Sequence, residues 1–270
     1  MEAQLIEELI QLTEAAGEAI MEIYRSDFEV DFKEDTSPLT QADLAAHRII
    51  AEGLAKLTPD IPVLSEESDA PDFEIRSAWQ RYWLVDPLDG TKEFVNRNGE
   101  FTVNIALIEG DRPVFGVVGV PAQSITFVGD EVTGAFVRDA QGTRPLNGRK
   151  MDPSSEVVVV ASRSHGSDRL EAYIQALGEQ YSNVTRSPVG SSLKLCILAE
   201  GRADLYPRLG PTSEWDIAAA HAVLNAAGGA LWSTDGSPLT YNSKESLLNP
   251  EFFAVSDGDY PWVDNLPPVS

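Results

Sequence analysis

Between Phe101 and Val137 the chain offers four strand-like runs, Phe101 to Ile108, Val114 to Val120, Ser124 to Val128 and Ala135 to Val137, each separated from the next by little more than a turn. The connections Glu109-Gly110-Asp111, Pro121-Ala122 and Gly129-Asp130 are too short for a crossover helix, so consecutive runs must pair antiparallel as a meander. Beyond residue 153 the rhythm changes. Extended runs at Val157 to Val160, Asn183 to Arg186, Ala203 to Tyr206, Ala230 to Trp232 and Phe252 to Val255 alternate with helical stretches at Asp168 to Leu177, Ser191 to Ala199 and Glu214 to Ala227. That alternation is the signature of an α/β sheet. The polar, Gly- and Pro-containing stretch Gln141 to Pro153 divides an N-terminal α+β part, residues 1–152, from a C-terminal α/β part, residues 153–270.

Two helices precede the meander. Leu5, Leu9, Leu12, Ala16, Ile20 and Ile23 follow helical spacing and predict an amphipathic face. Asp31 to Ser37 is a loop or short hairpin. Thr40-Gln41-Ala42-Asp43 resembles a capping box opening a helix whose inner face is Leu44, Ile49, Ile50, Leu54 and Leu57, with Pro59 stopping it. Ile61 to Leu64 is a short strand, followed by a polar loop to about Ser77. Ser167 as N-cap and Gly178 as C′ would bound the helix at Asp168.

The segment Trp83 to Phe94 carries the chemistry. An apolar strand ends in Asp86-Pro87-Leu88-Asp89-Gly90-Thr91, a turn with a carboxylate at each end. Such a turn converges hard oxygen ligands of the kind Mg²⁺ takes, although Asp, Pro and Gly are also ordinary turn formers. Three further acidic features lie at element ends: Asp43, Glu66 with Glu67, and Asp216. Asp43 and Asp216 could simply favour helix N-termini, and Glu66-Glu67 could be a solvated loop. The strand-end acids, however, belong to two strands and could meet at one sheet edge, where they would repel one another without divalent cations. With three His and one Cys in the chain, zinc is disfavoured. An acidic Mg²⁺ cluster points to phosphate chemistry through metal-polarised oxygens and an activated water. No P-loop, Rossmann glycine pattern or Gly-x-Ser-x-Gly elbow is present.

The charge balance narrows the partners. With 43 acidic against 20 basic residues, formally −23, the surface disfavours nucleic-acid polymers and anionic membranes. It would also repel a phosphate ester unless bound cations reversed the local sign. Cys196 alone cannot form an intrachain disulfide, and on a Leu-Cys-Ile-Leu helix it reads as core. Met1-Glu2-Ala3-Gln4 lacks signal-peptide character, and no apolar run reaches the length of about 20 residues that spans a bilayer. A cytoplasmic protein is expected, either free or peripheral at the inner face of the cell membrane.

Two longer signatures, Trp83-Leu84-Val85-Asp86-Pro87-Leu88-Asp89-Gly90-Thr91-Lys92-Glu93-Phe94-Val95-Asn96 and Trp215-Asp216-Ile217-Ala218-Ala219-Ala220-His221-Ala222-Val223-Leu224-Asn225-Ala226-Ala227-Gly228-Gly229, resemble the inositol monophosphatase superfamily of Mg²⁺-dependent, typically lithium-sensitive phosphatases. Leu64-Ser65-Glu66-Glu67-Ser68 and Leu39-Thr40-Gln41-Ala42-Asp43 match upstream, so the resemblance spans essentially the whole chain. Lys92-Glu93, Ala161-Ser162-Arg163-Ser164-His165, Gly190-Ser191-Ser192-Leu193-Lys194 and Ala203-Asp204-Leu205-Tyr206-Pro207-Arg208 look like the bacterial 3′(2′),5′-bisphosphate nucleotidase branch. That branch acts in sulfur metabolism, removing the 3′-phosphate of adenosine 3′,5′-bisphosphate and in some members acting on its sulfated precursor.

The resemblance implies an α/β layered αβαβα sandwich of the inositol monophosphatase and fructose-1,6-bisphosphatase type. It implies a first Mg²⁺ site at Glu66, Asp86 and the Leu88 carbonyl, a second at Asp86, Asp89 and Asp216, and a third, weaker ion near Glu66. Thr91 and Asp43 would be the dyad that orients and deprotonates the attacking water, with the Gly90 and Thr91 amides on the scissile phosphate. The substrate would lie against Glu66, Leu88, Asp89, Gly90, Thr91 and Asp216. Ser162, His165, Ser191, Lys194 and Arg208 would form the nucleotide end, Lys194 and Arg208 taking the 5′-phosphate; Lys194 could alternatively be a surface helix residue and His165 an ordinary loop histidine. The rivals are an inositol or other sugar-phosphate monophosphatase on the same metal site, and a non-catalytic acidic metal-binding relic. Oligomeric state is not legible.

Overall fold

A computed structural model describes residues 1–26, 38–162 and 168–269. The expected loop at Asp31 to Ser37, the cap Ser167 and His165 lie outside the described residues.

The first helix, α1 (Ala3–Tyr24), buries Leu9, Ala16 and Ile20 as their spacing predicts, and also Ile10, Thr13 and Gly17. Its buried face is wide because the sheet covers one flank and α2 (Pro38–Leu57) the other. The second helix departs from expectation. It begins at Pro38, whose fixed φ suits a first turn, so Thr40 is already helical and Asp43 sits in the second turn rather than the first. Its inner stripe is Ala42, Ala46, Ile50 and Leu54, an i, i+4 ladder, while Leu44 is 42% exposed.

There follow β1 (Val63–Ser65), a one-turn α3 (Phe73–Arg76) within the expected polar loop, β2 (Arg81–Asp89) and the short α4 (Thr91–Val95). The meander is β3 (Thr102–Glu109), β4 (Arg112–Val120), β5 (Ile125–Asp130) and β6 (Gly134–Asp139). It gains β7 (Gly142–Pro145), an edge strand paired with β6 inside the stretch read as a boundary. Pro145 is tolerated there because an edge strand has no further partner needing its N–H. These strands form one sheet in simple sequence order, antiparallel except for the parallel pair β1–β2.

The C-terminal part contributes β8 (Val157–Ser162), α5 (Asp168–Gln180), β9 (Val184–Val189), α6 (Leu193–Ala199), β10 (Leu205–Arg208), α7 (Glu214–Ala226), β11 (Ala230–Ser233), β12 (Phe252–Val255) and α8 (Trp262–Asn265). Gly178 does not end α5, which continues through it to Gln180, since a solvent-facing helical Gly costs only about 1 kcal/mol. The second sheet has the order β11-β12-β10-β8-β9. Its pairs β8–β9 and β8–β10 are parallel, and β12 runs antiparallel to both neighbours.

Alternation along each strand sorts the core into layers. On one face of the first sheet Trp83, Val85, Ile105 and Leu107 pack with α1 and α2. On the other, Tyr82, Leu84, Ala106 and Ile108 pack with Leu195 and Leu198 of α6, Ala219 and Val223 of α7, and Val160 and Phe252 of the second sheet. The far face of that sheet, Val159, Leu205 and Val255, packs with Tyr173 and Leu177 of α5. The result is a layered αβαβα sandwich.

How closely α7 approaches the first sheet is set by glycine. A Cβ on Gly116 of β4 would lie 2.1 Å from the Ala219 carbonyl oxygen, and one on Gly129 of β5 2.3 Å from Val223 Cα. The Ala-rich sequence of α7 thus rests almost on the sheet backbone, which fixes the height at which it presents Asp216. Gly116→Val is expected to destabilise by about 3 kcal/mol, lowering the thermal midpoint by roughly 5–10 °C in circular dichroism. An unchanged midpoint would mean that α7 is free to ride up.

Candidate active site

The parallel pairing of β1 with β2 aligns Ser65 with Val85, and the Glu66 N–H donates to the Val85 carbonyl at 3.1 Å. Glu66 and Asp86 therefore leave the two strands side by side. Alternation places Asp86 on the same face as Tyr82 and Leu84, the face that α7 covers. Asp86 to Asp89 is not the turn that the sequence suggested. It is still strand, with Asp86 opposite Asn104 and Asp89 opposite Thr102, so β2 holds one residue more than its partner. Pro87 has no N–H for the ladder, and the displaced Leu88 N–H donates instead to Asp86 Oδ1 at 3.0 Å. This bulge brings both carboxylates toward the same side of the sheet.

Asp216 arrives from the opposite side as the third residue of α7. Its Oδ2 accepts the Ser213 N–H at 2.9 Å and the Thr212 hydroxyl at 3.0 Å, closing a capping box with Ser213. Glu66, Asp86 and Asp216 each offer a carboxylate oxygen, and the three oxygens lie within 4.8 Å of one another. Asp89 stands beside this group. Its Oδ2 accepts the Ser192 N–H at 2.6 Å, while its charge presses on Asp86. Asp43 is 8% exposed, and its Oδ1 is buried without a hydrogen-bond partner. Its helix packs against α4, the helix that Thr91 opens, but no hydrogen bond joins Asp43 to Thr91.

So many acids in one place cannot all be ionised at neutral pH without countercharge. Burial, then the charges of Glu67 and Glu66, push Asp43 up to about 8. Burial with Asp216 and Glu67 pushes Glu66 up to about 7, and burial with Asp216 does the same for Asp89. Asp86 is raised well above the carboxylate range by burial and by all of its acidic neighbours, and burial raises Asp216 as well. The all-carboxylate donor set of Glu66, Asp86 and Asp216 and its mutual repulsion fit a hard divalent cation.

Beside the acids opens a cavity of about 250 Å³, whose lining includes Asp89, Gly90, Thr91, Lys92, Glu93 and Asp216 together with Ser162, Ser191, Lys194 and Arg208. Gly90 has φ +96°, and an added Cβ would meet Phe101 Cα and Ser191 Cβ at 3.2 Å, so only glycine fits there. Leu88 is buried in the core behind the site. Lys194 is no surface residue: it is 4% exposed and donates to the Ser191 carbonyl at 2.6 Å and the Val189 carbonyl at 3.3 Å. Burial pulls it down to about 8, although Asp89 favours its charge. Arg208 donates to the Pro211 carbonyl and keeps its buried Nε without an acceptor.

Several wall residues escaped sequence reasoning. Ser192 holds Asp89 through its N–H and bonds Asn104 at 2.7 Å and Thr102 at 2.9 Å through its hydroxyl. Thr102 and Asn104 are polar residues at alternate positions of an apolar strand, a pattern that could have marked them. Tyr206 and Thr212 also line the cavity. Their chemistry gave no signal apart from the elements around them.

A family model described as the inositol monophosphatase family matches residues 1–255. The chain belongs to the inositol monophosphatase family. The 3′(2′),5′-bisphosphate nucleotidase CysQ of Salmonella typhimurium is 51% identical over 251 residues, covering 92% of this chain and 98% of its own. The protein of the same name from Escherichia coli K12 is 49% identical over the same shares. Among solved structures, CysQ from Bacteroides thetaiotaomicron superposes with a TM-score of 0.84 at 41% identity, covering 92% of this chain and 96% of its own. An inositol monophosphatase from Zymomonas mobilis, at 23% identity and TM-score 0.76, shares the fold. Membership makes this chain a metal-dependent phosphatase of the inositol monophosphatase family, and the acidic cluster is where the family's metal chemistry fits. Among the described residues no helix is long and apolar enough to cross a membrane.

Proposed function

We propose that the protein is a Mg²⁺-dependent 3′-nucleotidase that converts adenosine 3′,5′-bisphosphate to AMP and phosphate, and that it does so in the cytoplasm. The observation that carries this reading is the pairing, in one cavity, of Asp89 and Asp216 of the carboxylate cluster with three cationic side chains, Lys92, Lys194 and Arg208, in a chain of net charge −23. An inositol monophosphate has a single phosphate and needs no second cationic end. A nucleoside 3′,5′-bisphosphate has a second phosphate to place there. Relatives at about half identity, named for bisphosphate nucleotidase activity, support the same substrate class.

Glu66, Asp86 and the Leu88 carbonyl would hold one Mg²⁺, and Asp86, Asp89 and Asp216 a second, with a third, weaker ion near Glu66. Bound Mg²⁺ supplies Lewis-acid polarisation of the phosphate and of the attacking water. Thr91 would accept the water's proton as it passes its own hydroxyl proton to an ionised Asp43, for which the two side chains, not hydrogen-bonded to each other in this structure, must close to bonding distance. The Gly90 and Thr91 N–H groups hold the scissile phosphate. Arg208 meets the 5′-phosphate with its guanidinium charge, and Lys194 contributes charge from its buried position, with Ser162 and Ser191 beside it.

Adenosine 3′,5′-bisphosphate should be turned over with kcat/KM about 10- to 100-fold above that of inositol 1-phosphate, the worth of one charge-assisted phosphate contact. Better turnover of the inositol ester would reassign the substrate. Asp43→Asn should cut kcat by about 10²-fold or more while Mg²⁺ binding, measured by calorimetry, stays within about threefold. Near-normal kcat in that variant would remove the dyad from the mechanism.

A further inference from the structure

The segment 241–249, between β11 and β12, forms no strand or helix of its own beyond a single bridge from Leu248 to Ser213. It runs across the N-terminal end of α7 as a strap. Three backbone-directed bonds tie the two together: Glu214 N–H to the Leu247 carbonyl, Asn249 N–H to the Thr212 carbonyl, and Asn249 Nδ2 to the Ser213 carbonyl, each 2.8 Å.

At the centre is Glu214, a carboxylate with no exposed surface. Its Oε2 accepts the Asn242 N–H at 2.7 Å, and Lys244 Nζ lies 3.5 Å from Oε1. Asn242 sits in the left-handed region, φ +52°, and its amide is used twice: Oδ1 accepts from Arg76 Nη1, and Nδ2 donates to the Arg76 carbonyl at 2.7 Å. Arg76, 2% exposed, also donates to the carbonyls of Lys244, at 3.2 Å, and Glu245. None of these three residues lines the cavity.

A buried carboxylate and a buried guanidinium are costly to keep unless something depends on them. What lies next to them is the cap of α7. Thr212 and Ser213, gripped by the strap through their carbonyls, use their hydroxyl and N–H to hold Asp216 Oδ2. We infer that Glu214, Asn242 and Arg76 are positioning residues that set the rotation of the first turn of α7, and so hold Asp216 against Glu66 and Asp86 before any cation arrives. The inference rests on the reading of Asp216 as a cation ligand. Preorganisation of this kind matters because the three acids repel each other, and an unrestrained Asp216 would swing away from the cluster.

The test is calorimetric titration of Mg²⁺ into the metal-free full chain. Glu214→Ala should weaken Mg²⁺ binding about 10- to 100-fold, the usual cost of losing an outer-shell partner. At saturating Mg²⁺ its substrate KM should stay within about threefold of the parent, since no cavity contact is lost. Glu214→Gln, whose amide oxygen still accepts the Asn242 N–H, should recover most of the affinity. Asn242→Ala keeps that backbone donor and loses both contacts to Arg76. It should weaken Mg²⁺ in the same direction, and it decides the matter if Glu214→Ala does not fold. Val223→Ala is the control: Val223 lies further along α7, packed over Gly129 of β5, so its loss should lower the melting temperature without moving Mg²⁺ affinity. Equal weakening in Val223→Ala would mean general loosening of α7 and would overturn the inference. Parent-like Mg²⁺ affinity in Glu214→Ala and Asn242→Ala, with affinity lost in Asp216→Asn, would overturn it while leaving the ligand reading intact. Parent-like affinity in Asp216→Asn as well would sink the ligand reading itself.

Discussion

Asp86→Asn should cost roughly 10³-fold or more in kcat/KM, corresponding to about 4 kcal/mol of transition-state stabilisation, and at the same time make the metal-free protein more stable. Asp86 is 1% exposed, and Asp89, Glu66, Asp216 and Asp43 all act against its ionisation. Asn has the same shape and keeps the Oδ1 that accepts the Leu88 N–H, so the bulge in β2 should survive. What disappears is a buried charge that the fold itself opposes. At about pH 8, relief of roughly 1–3 kcal/mol should raise the metal-free melting temperature by about 3–8 °C. The parent should regain the advantage once Mg²⁺ is added, because only the parent can use Asp86 to bind it. Melting curves of both proteins, with Mg²⁺ and with chelator, check each sign. A variant that is less stable in chelator and retains activity within tenfold of the parent would show that Asp86 serves the fold and not a cation.

The meander and the alternating C-terminal half were legible because both are written in local periodicity and in connection lengths, which restrict pairing before any tertiary contact is considered. The acids at Glu66, Asp86 and Asp216 were legible as residues of one chemistry placed at element ends. Their convergence was not, since it depends on the parallel register of β1 with β2 and on how low α7 lies over Gly116 and Gly129. Asp86 to Asp89 was misread as a turn because Pro and Gly have the same local signature at a bulge as at a reversal. The start of α2 was misread because Thr40 and Asp43 make an acceptable cap in isolation, while Pro38 opens the helix two residues earlier. Lys194 lies in an apolar helix, where sequence leaves burial and exposure equally open. Its neighbours decide it: Val189 and Ser191 from the stretch just before the helix, and Asp89 from the distant end of β2. The strap on Glu214 is the extreme case: Arg76, Glu214 and Asn242 are far apart in sequence, and nothing local marks them as partners.

A protein that gathers these carboxylates should show its debt to the cation in the pH dependence of its stability. Asp43 is raised to about 8, and Glu66 and Asp89 to about 7, against ordinary values near 4 in the unfolded chain. For an acid whose folded pKa is raised, the folded state binds the proton more tightly than the unfolded state does. Its contribution to stability is fully present below the unfolded pKa of about 4 and is lost as pH rises through the folded value. The metal-free protein should therefore lose melting temperature steadily between about pH 5 and pH 8.5, by roughly 3–8 °C, most of it from Asp43 and Asp89, since the Glu66 carboxylate is exposed and solvent screens its share. Mg²⁺ competes with those same protons, so its affinity should climb across the same window. At about pH 5 millimolar Mg²⁺ should barely move the melting temperature, and at about pH 8.5 it should restore most of what was lost, with chelator reversing the gain. Asp43→Asn removes the most strongly raised of these three groups, and should flatten the upper part of the metal-free curve without abolishing the Mg²⁺ response. A metal-free melting temperature that is level from pH 5 to 8.5, or a Mg²⁺ shift of equal size at both ends, would mean that the acids are ionised and solvated independently of one another. The cluster would then be a surface feature, and the phosphatase chemistry would have to be sought elsewhere in the cavity.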